Sequence, residues 1–212
     1  MSKFRSKRSK KAVGKRGLII CEGETEENYF RGLITQNKYK RKFQSIDVEI
    51  FKPKDHSPLG LVKECKRKLN KAKRERNSYS FAWVVFDKDG HENIPNAFET
   101  ARNNAPRINI VFTAPCFEYF ILLHFEKTTK PFRKCKPVVS QIKKKWYSEY
   151  EKATNIFEEL YEYKDIGITN SEWIQKRSEF DLSSGKRIYD LSAYSNVHEL
   201  INYLYSLIYK NY

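Results

Sequence analysis

Two kinds of hydrophobic pattern alternate along the first part of the chain. Residues 17–20 (Gly-Leu-Ile-Ile) and 81–86 (Phe-Ala-Trp-Val-Val-Phe) are short, continuous apolar runs. Runs of this kind are typical of strands buried on both faces. Between them, Tyr29, Phe30, Leu33 and Ile34 share one helical face. Ile46, Val48 and Ile50 alternate with Asp47 and Glu49 at the period of a half-exposed strand. Leu61, Val62, Cys65, Leu69 and Ala72 form a second helical stripe. Thr25 is placed to cap the first of these helices, and Ser57-Pro58 supplies a cap and first-turn pair for the second. A short helix near residues 93–103, a strand over 107–112 and a helix from Pro115 through Glu118 to His124 complete a β-α-β-α-β-α-β-α order. Such alternation predicts an α/β fold with a mainly parallel central sheet flanked by helices.

The pattern changes beyond residue 126. Residues 128–137 read as a basic loop, 137–163 as charged and aromatic helix with one break, and 165–187 as irregular and polar with a short helix around Trp173. Ser195-Asn196 caps a last helix whose inward positions are Val197, Leu200, Ile201, Leu204, Leu207 and Ile208. The expected organisation is a basic arm (1–16), an α/β core (17–126) and a mainly helical C-terminal region (127–212) packed on that core.

With 212 residues, 40% of them hydrophobic, the chain is long enough to bury one substantial core. No apolar stretch approaches the roughly 18–20 residues needed to span a bilayer. The basic N-terminus lacks the apolar centre of a secretory signal. No membrane partner and a cytoplasmic location are therefore expected. The four cysteines, Cys21, Cys65, Cys116 and Cys135, form no CxxC pair and no zinc-spaced cluster with histidine, so they read as reduced thiols in or near the core.

A net charge of +15 points to a polyanionic partner, chiefly nucleic acid. Residues 1–16 carry eight Lys/Arg and no acid, the composition of a disordered basic arm. A second concentration lies on the helix after Pro58, where Lys63, Lys66, Arg67, Lys71 and Arg74 are candidates for phosphate contact.

Against this basic background three acidic groups stand out. Glu22 follows the first buried strand and precedes Gly23. Asp87 and Asp89 follow the second, in Asp-Lys-Asp-Gly. Strands of a parallel sheet gather their carboxyl ends at one edge, where ligands bind. Carboxylates brought together there need a cation, and hard divalent ions take such oxygen ligands. An extended Asp-x-Asp also places both side chains on one side of the chain. Glu24, Glu26 and Glu27 are accounted for as first-turn acids favoured by the helix dipole. Glu118 lies among Phe117, Tyr119 and Phe120. It is either an acid at an exposed or Arg-paired helix edge, or a group pointing into the acidic site. His91 reads as a loop bystander with some reach to phosphate, and His124 as structural. The chain has no phosphate-binding glycine loop, serine nucleophile elbow, HExxH pair or dinucleotide fingerprint, which argues against the corresponding chemistries.

Glu22-Gly23 after one strand and Asp87-Lys88-Asp89 after a later one resemble the Toprim pattern of topoisomerases, primases and OLD-family nucleases. The fuller set is similar to the RloB family and to the abortive-infection component AbiLii. It comprises Ile19-Ile20-Cys21-Glu22-Gly23-Glu24-Thr25-Glu26, Trp83-Val84-Val85-Phe86-Asp87-Lys88-Asp89, Ala114-Pro115-Cys116-Phe117-Glu118-Tyr119-Phe120 and Tyr194-Ser195-Asn196-Val197-His198-Glu199-Leu200. The resemblance implies a Toprim-like nuclease that cleaves DNA or RNA such as tRNA in phage defence, with an AAA-type ATPase encoded nearby. Glu22, Asp87 and Asp89 match the family's metal-binding acids, and Glu118 matches the acid of its Pro-x-Phe-Glu block. A Mg2+- or Mn2+-dependent endonuclease is the expected activity, with self-association left open. A non-catalytic module that binds nucleic acid or the ATPase is the alternative.

Overall fold

A computed structural model describes residues 15–209. The basic arm expected over residues 1–16 lies outside the described residues except at its end, where Arg16 already belongs to the sheet. Five strands, β1 (Arg16–Cys21), β2 (Asp47–Phe51), β3 (Phe81–Asp87), β4 (Asn109–Ala114) and β5 (Tyr194–Ser195), pair in the order β2-β1-β3-β4-β5. The first four are parallel, and β5 runs antiparallel to β4. The α/β class, the mainly parallel sheet and the helical C-terminal region are those expected from the sequence, consistent with a Toprim-like core.

Strand alternation divides the interior into two layers. Ile19, Cys21, Trp83, Val85 and Val111 face one side, where α1 (Glu24–Thr35), α5 (Phe117–Leu123) and α9 (Val197–Tyr209) pack. Leu18, Ile20, Ala82, Val84, Phe86 and Phe112 face the other, covered by α3 (Pro58–Arg74) and α4 (Ile94–Arg102). Burial on both faces explains why β1 and β3 read as unbroken apolar runs. The Ser57 cap forms as expected, its Oγ accepting from the Gly60 N–H at 3.1 Å. α1 is capped differently. It starts at Glu24 after Gly23, which releases the Thr25 hydroxyl for long-range bonds. A helix α2 (Asn37–Phe43) precedes β2, where no helix is evident in the sequence.

The C-terminal region departs most from expectation. The span anticipated as irregular is a 20-residue helix, α8 (Lys164–Ser183). Its buried face is made of Gly167, Asn170, Ser171, Ile174 and Ser178, so small and polar residues carry the helical period and leave little hydrophobic signal. These residues let α8 approach closely. A Cβ on Gly167 would meet the His124 ring at 2.7 Å, and Ser171 Oγ lies 2.9 Å from both Ser195 Oγ and His198 Nδ1. The helical span expected over 137–163 resolves into α6 (Cys135–Lys145) and a single-turn α7 (Phe157–Tyr161) joined by turns. No helix among the described residues is long and apolar enough to cross a membrane.

His124 closes α5 in a fully buried position. Its Nδ1 lies 3.0 Å from the Phe120 carbonyl and its Nε2 lies 3.3 Å from the Tyr29 hydroxyl, which suits a neutral ring donating at Nδ1 and accepting at Nε2. Burial depresses its pKa to about 4. A depressed native pKa means that the unfolded chain binds the proton first, so stability is lost as pH falls from about 6.5 towards 4. A loss of roughly 3 kcal/mol over that window is expected from this residue. Urea unfolding of the wild type and His124→Gln across pH 7 to 4 checks it. The variant should show the shallower decline, and parallel curves would contradict the assignment.

Candidate metal centre

The sheet order sends the chain from β1 outward to β2 and later from β3 outward to β4. The carboxyl ends of β1 and β3 therefore flank a switch point, where open α/β sheets bind ligands. Register places the acids there. Cys21 pairs with Val85, the Glu22 N–H continues the ladder by donating to the Val85 carbonyl at 3.0 Å, and Asp87 ends β3 alongside. Glu22 Oε2 accepts from the Asp87 N–H at 3.0 Å, and Glu22 Oε1 lies 2.7 Å from His91 Nε2. One ligand atom from each of Glu22, Asp87 and His91 falls within 4.8 Å of the others.

Glu22 and Asp87 open onto a cavity of about 350 Å³ that is also lined by Glu26, Glu118, Lys52, His56 and Lys152. Asp87 is 7% exposed. Burial raises its pKa well above the usual carboxylate range, and the nearby charges of Glu22 and Glu26 raise it further. Glu26 is pushed to about 8, chiefly by burial, with Glu22 and Glu118 adding to the shift. A bound cation would relieve the cost of ionising these acids. The two carboxylates suit Mg2+ or Mn2+, and an imidazole ligand fits Mn2+ more readily than Mg2+.

The candidate residues divide unequally. Glu22 and Asp87 meet as expected. Asp89 does not join them. β3 ends at Asp87, the Lys88 N–H makes the last ladder bond to the Thr113 carbonyl at 2.9 Å, and Asp89 falls in the turn where Gly90 takes φ +77°. The Asp89 carboxylate is exposed, and this residue serves Asp87 through its backbone N–H, 2.9 Å from Asp87 Oδ1. Glu118 does face the pocket. It is 2% exposed, 3.6 Å from Lys152 Nζ, and receives hydrogen bonds from Tyr150 at 3.4 Å and Thr25 at 3.5 Å. Lys63, Lys66, Arg67, Lys71 and Arg74 all lie exposed along α3. Arg67 is held by Glu64 through two contacts of 2.7 Å, whereas Lys63, Lys66 and Arg74 make no ion pair within 4 Å among the described residues.

Further residues belong to the site. Glu26 was assigned to the helix dipole, yet its spacing to Tyr29, Phe30 and Leu33 puts it on the buried stripe of α1. That spacing was the available signal. Gly23 belongs with it, because a Cβ there would meet Glu26 Oε2 at 2.7 Å. His91 is a member of the acidic cluster rather than a bystander. Lys152 comes from a turn distant in sequence and left no local mark. Contrary to expectation, the cysteines are not all reduced thiols. Cys116 and Cys135 form a disulfide, with Cα atoms 5.5 Å apart, because the starts of α5 and α6 meet. Glu118 Oε2 lies 3.0 Å from Cys135 Sγ, a contact rather than a hydrogen bond, since a bridged sulfur carries no proton. Cys21 and Cys65 are free and buried, and burial raises both thiols, Cys65 to about 12. Neither is an activated nucleophile.

The family model described as RloB-like protein matches residues 17–204. No curated protein and no solved structure matches the chain.

A divalent ion held by Glu22 and Asp87 should stabilise the fold. At a hundredfold excess over Kd the gain is about 2.7 kcal/mol, or roughly 5–10 °C in Tm for a chain of this size. Thermal unfolding with Mn2+ against EDTA should show this rise in the wild type and in Asp89→Asn, and lose it in Asp87→Asn. An equal rise in all three would refute the placement of the ion.

Proposed function

We propose, from the premise that this chain belongs to the RloB-like family, that it is a metal-dependent nuclease cleaving phosphodiester bonds of DNA or RNA. The observation that supports this most is the convergence of Glu22, Asp87 and His91 on one point of the sheet edge in a chain of net charge +15. A strongly basic protein attracts a polyanion, and an acidic pocket repels it unless a cation intervenes.

Glu22 and Asp87 would hold Mg2+ or Mn2+, with His91 beside them. The ion, when bound, polarises the scissile phosphate and favours an ionised nucleophile. The protein's own groups supply orientation and protons. The Asp87 N–H and His91 Nε2 each engage one oxygen of Glu22, so that carboxylate has little rotational freedom. Where Glu22 is not committed to the ion, it is the general base for the attacking water. Burial and the neighbouring acids push the Glu26 carboxyl up to about 8, so before an ion binds it adds little negative charge to the pocket. Lys152 offsets Glu118 and offers a cation to the substrate side of the pocket. Lys63, Lys66 and Arg74 on α3 would hold backbone phosphates away from the reacting bond. By family resemblance, the activity would serve phage defence by abortive infection, together with an AAA-type ATPase.

Incubating the purified protein with labelled DNA and with total RNA, in Mg2+, Mn2+ or EDTA, tests the reading. Cleavage should require the metal. Glu22→Gln and Asp87→Asn should each reduce it by about 10^3-fold while leaving the far-UV circular dichroism unchanged. Lys63→Glu/Lys66→Glu should weaken binding and reduce the salt dependence by about one unit of slope per lost phosphate contact. Full activity in both acid variants would overturn the proposal. Metal-independent binding without cleavage would favour the non-catalytic module instead.

A further inference from the structure

A second cavity, of about 720 Å³, lies away from the acidic pocket. It forms because β5 pairs with only the last two residues of β4, Thr113 and Ala114, leaving the first half of β4 with an uncovered edge. Asn196 partly covers that edge. Its Oδ1 accepts from the Phe112 N–H at 2.7 Å, and its Nδ2 donates to the Ile110 carbonyl at 3.1 Å. The N–H and C=O of one strand residue point to the same side. The Ile110 N–H therefore faces the cleft too, without a hydrogen-bond partner among the described residues. Trp83 also lines the cleft. It is 7% exposed, and its buried indole N–H has no hydrogen-bond partner among the described residues. A buried donor left unpaired is costly, and beside it the free Ile110 N–H offers the cleft a donor for an acceptor-bearing ligand.

The walls narrow its chemistry. Phe98 and Tyr189 form an aromatic side, their ring centroids 5.8 Å apart, and both are only partly buried. Four cations, Arg102, Arg107, Lys186 and Arg187, line the cleft against two acids, Glu99 and Glu199. Glu199 is already engaged by Gln175 at 2.5 Å and Asn196 at 3.1 Å, and Lys186 by Asp181 at 2.9 Å. Arg102 and Arg107 are exposed and make no ion pair within 4 Å among the described residues. The volume falls within the range of small-molecule sites, about 300–1,000 Å³. An aromatic wall beside unpaired guanidinium groups and backbone-edge donors suits a planar heterocycle carrying phosphate. A bare phosphate would leave the aromatic side unused, and an apolar ligand would leave the arginines unpaired.

We infer that this cleft is a nucleotide-binding site, with the base against Phe98 and Tyr189 and the phosphate on Arg102 and Arg107. It is separate from the acidic pocket. Trp83 and Asp87 lie four residues apart on β3, about 13 Å along the strand, and the cleft opens at the β4 edge rather than between β1 and β3. The nucleotide is either free in solution or one unit of a nucleic-acid strand.

Equilibrium binding to the full chain in EDTA tests the site without depending on any cleavage. The probes are the four nucleoside monophosphates, a five-nucleotide single-stranded RNA, adenosine and ribose 5-phosphate. At least one monophosphate or the RNA should saturate at one per chain. Adenosine and ribose 5-phosphate should each bind at least tenfold more weakly than AMP if AMP binds. Arg102→Glu/Arg107→Glu should weaken the tight ligand at least tenfold. Lys136→Glu/Lys144→Glu, two exposed lysines of α6 with the same change of net charge, should weaken it less than threefold. Binding of a monophosphate identifies a free nucleotide, and binding of the RNA alone identifies a strand unit. Absence of saturable binding by every probe, or equal losses in the two double variants, would overturn the inference.

Discussion

Repulsion among carboxylates at the ends of β1 and β3 is the constraint to which the surrounding structure answers. Glu22 and Asp87 bring carboxylate oxygens within 4.8 Å of one another, and two like charges at about that range cost a few kcal/mol, roughly 3–4, at an effective dielectric constant near 20. Glu22, Asp87, Glu26 and Glu118 all line one cavity, so full ionisation of the empty pocket would be prohibitive. The fold responds in three ways. Asp87 and Glu26 hold their protons well above the ordinary carboxylate range. His91 and Lys152 bring compensating groups from two separate segments. The Asp87 N–H and the hydroxyls of Thr25 and Tyr150 donate to the acids that remain. A bound divalent ion would replace much of this makeshift compensation with a single charge.

The fold's outline was legible because its strongest elements are covered on both faces and so carry unmistakable apolar runs. The site was legible only where chemistry coincided with a strand end. Glu22 and Asp87 follow β1 and β3 directly, and parallel pairing carries them to the same edge. Asp89 lies beyond the end of β3, in the turn at Gly90, where strand alternation no longer sets the direction of a side chain. Glu26 was hidden by a sufficient local explanation, although its spacing to Tyr29, Phe30 and Leu33 put it on an inward face. α8 escaped because glycine and serines carry its buried stripe, and hydrophobic periodicity is blind to them. The Cys116–Cys135 bridge depends on the meeting of α5 and α6, a tertiary fact that spacing alone does not encode.

Charge is segregated in a way that suits work on a polyanion. The exposed lysines and arginines of α3 and the guanidinium groups beside β4 do not line the acidic cavity. A strand could therefore be held by phosphates at several points while one bond faces the carboxylates. The cysteines are bridged or hold their protons, so none is an activated nucleophile, and Glu22, Asp87 and His91 are the group that meets at the switch point.

The most direct measurement is the anomalous difference map of crystals grown or soaked with Mn2+. The predicted result is a peak between β1 and β3 within coordination distance, about 2.0–2.4 Å, of the Glu22 and Asp87 carboxylates, with Asp89 outside the coordination shell. A fully occupied peak elsewhere, or none at this edge when Mn2+ is saturating, would contradict the metal centre.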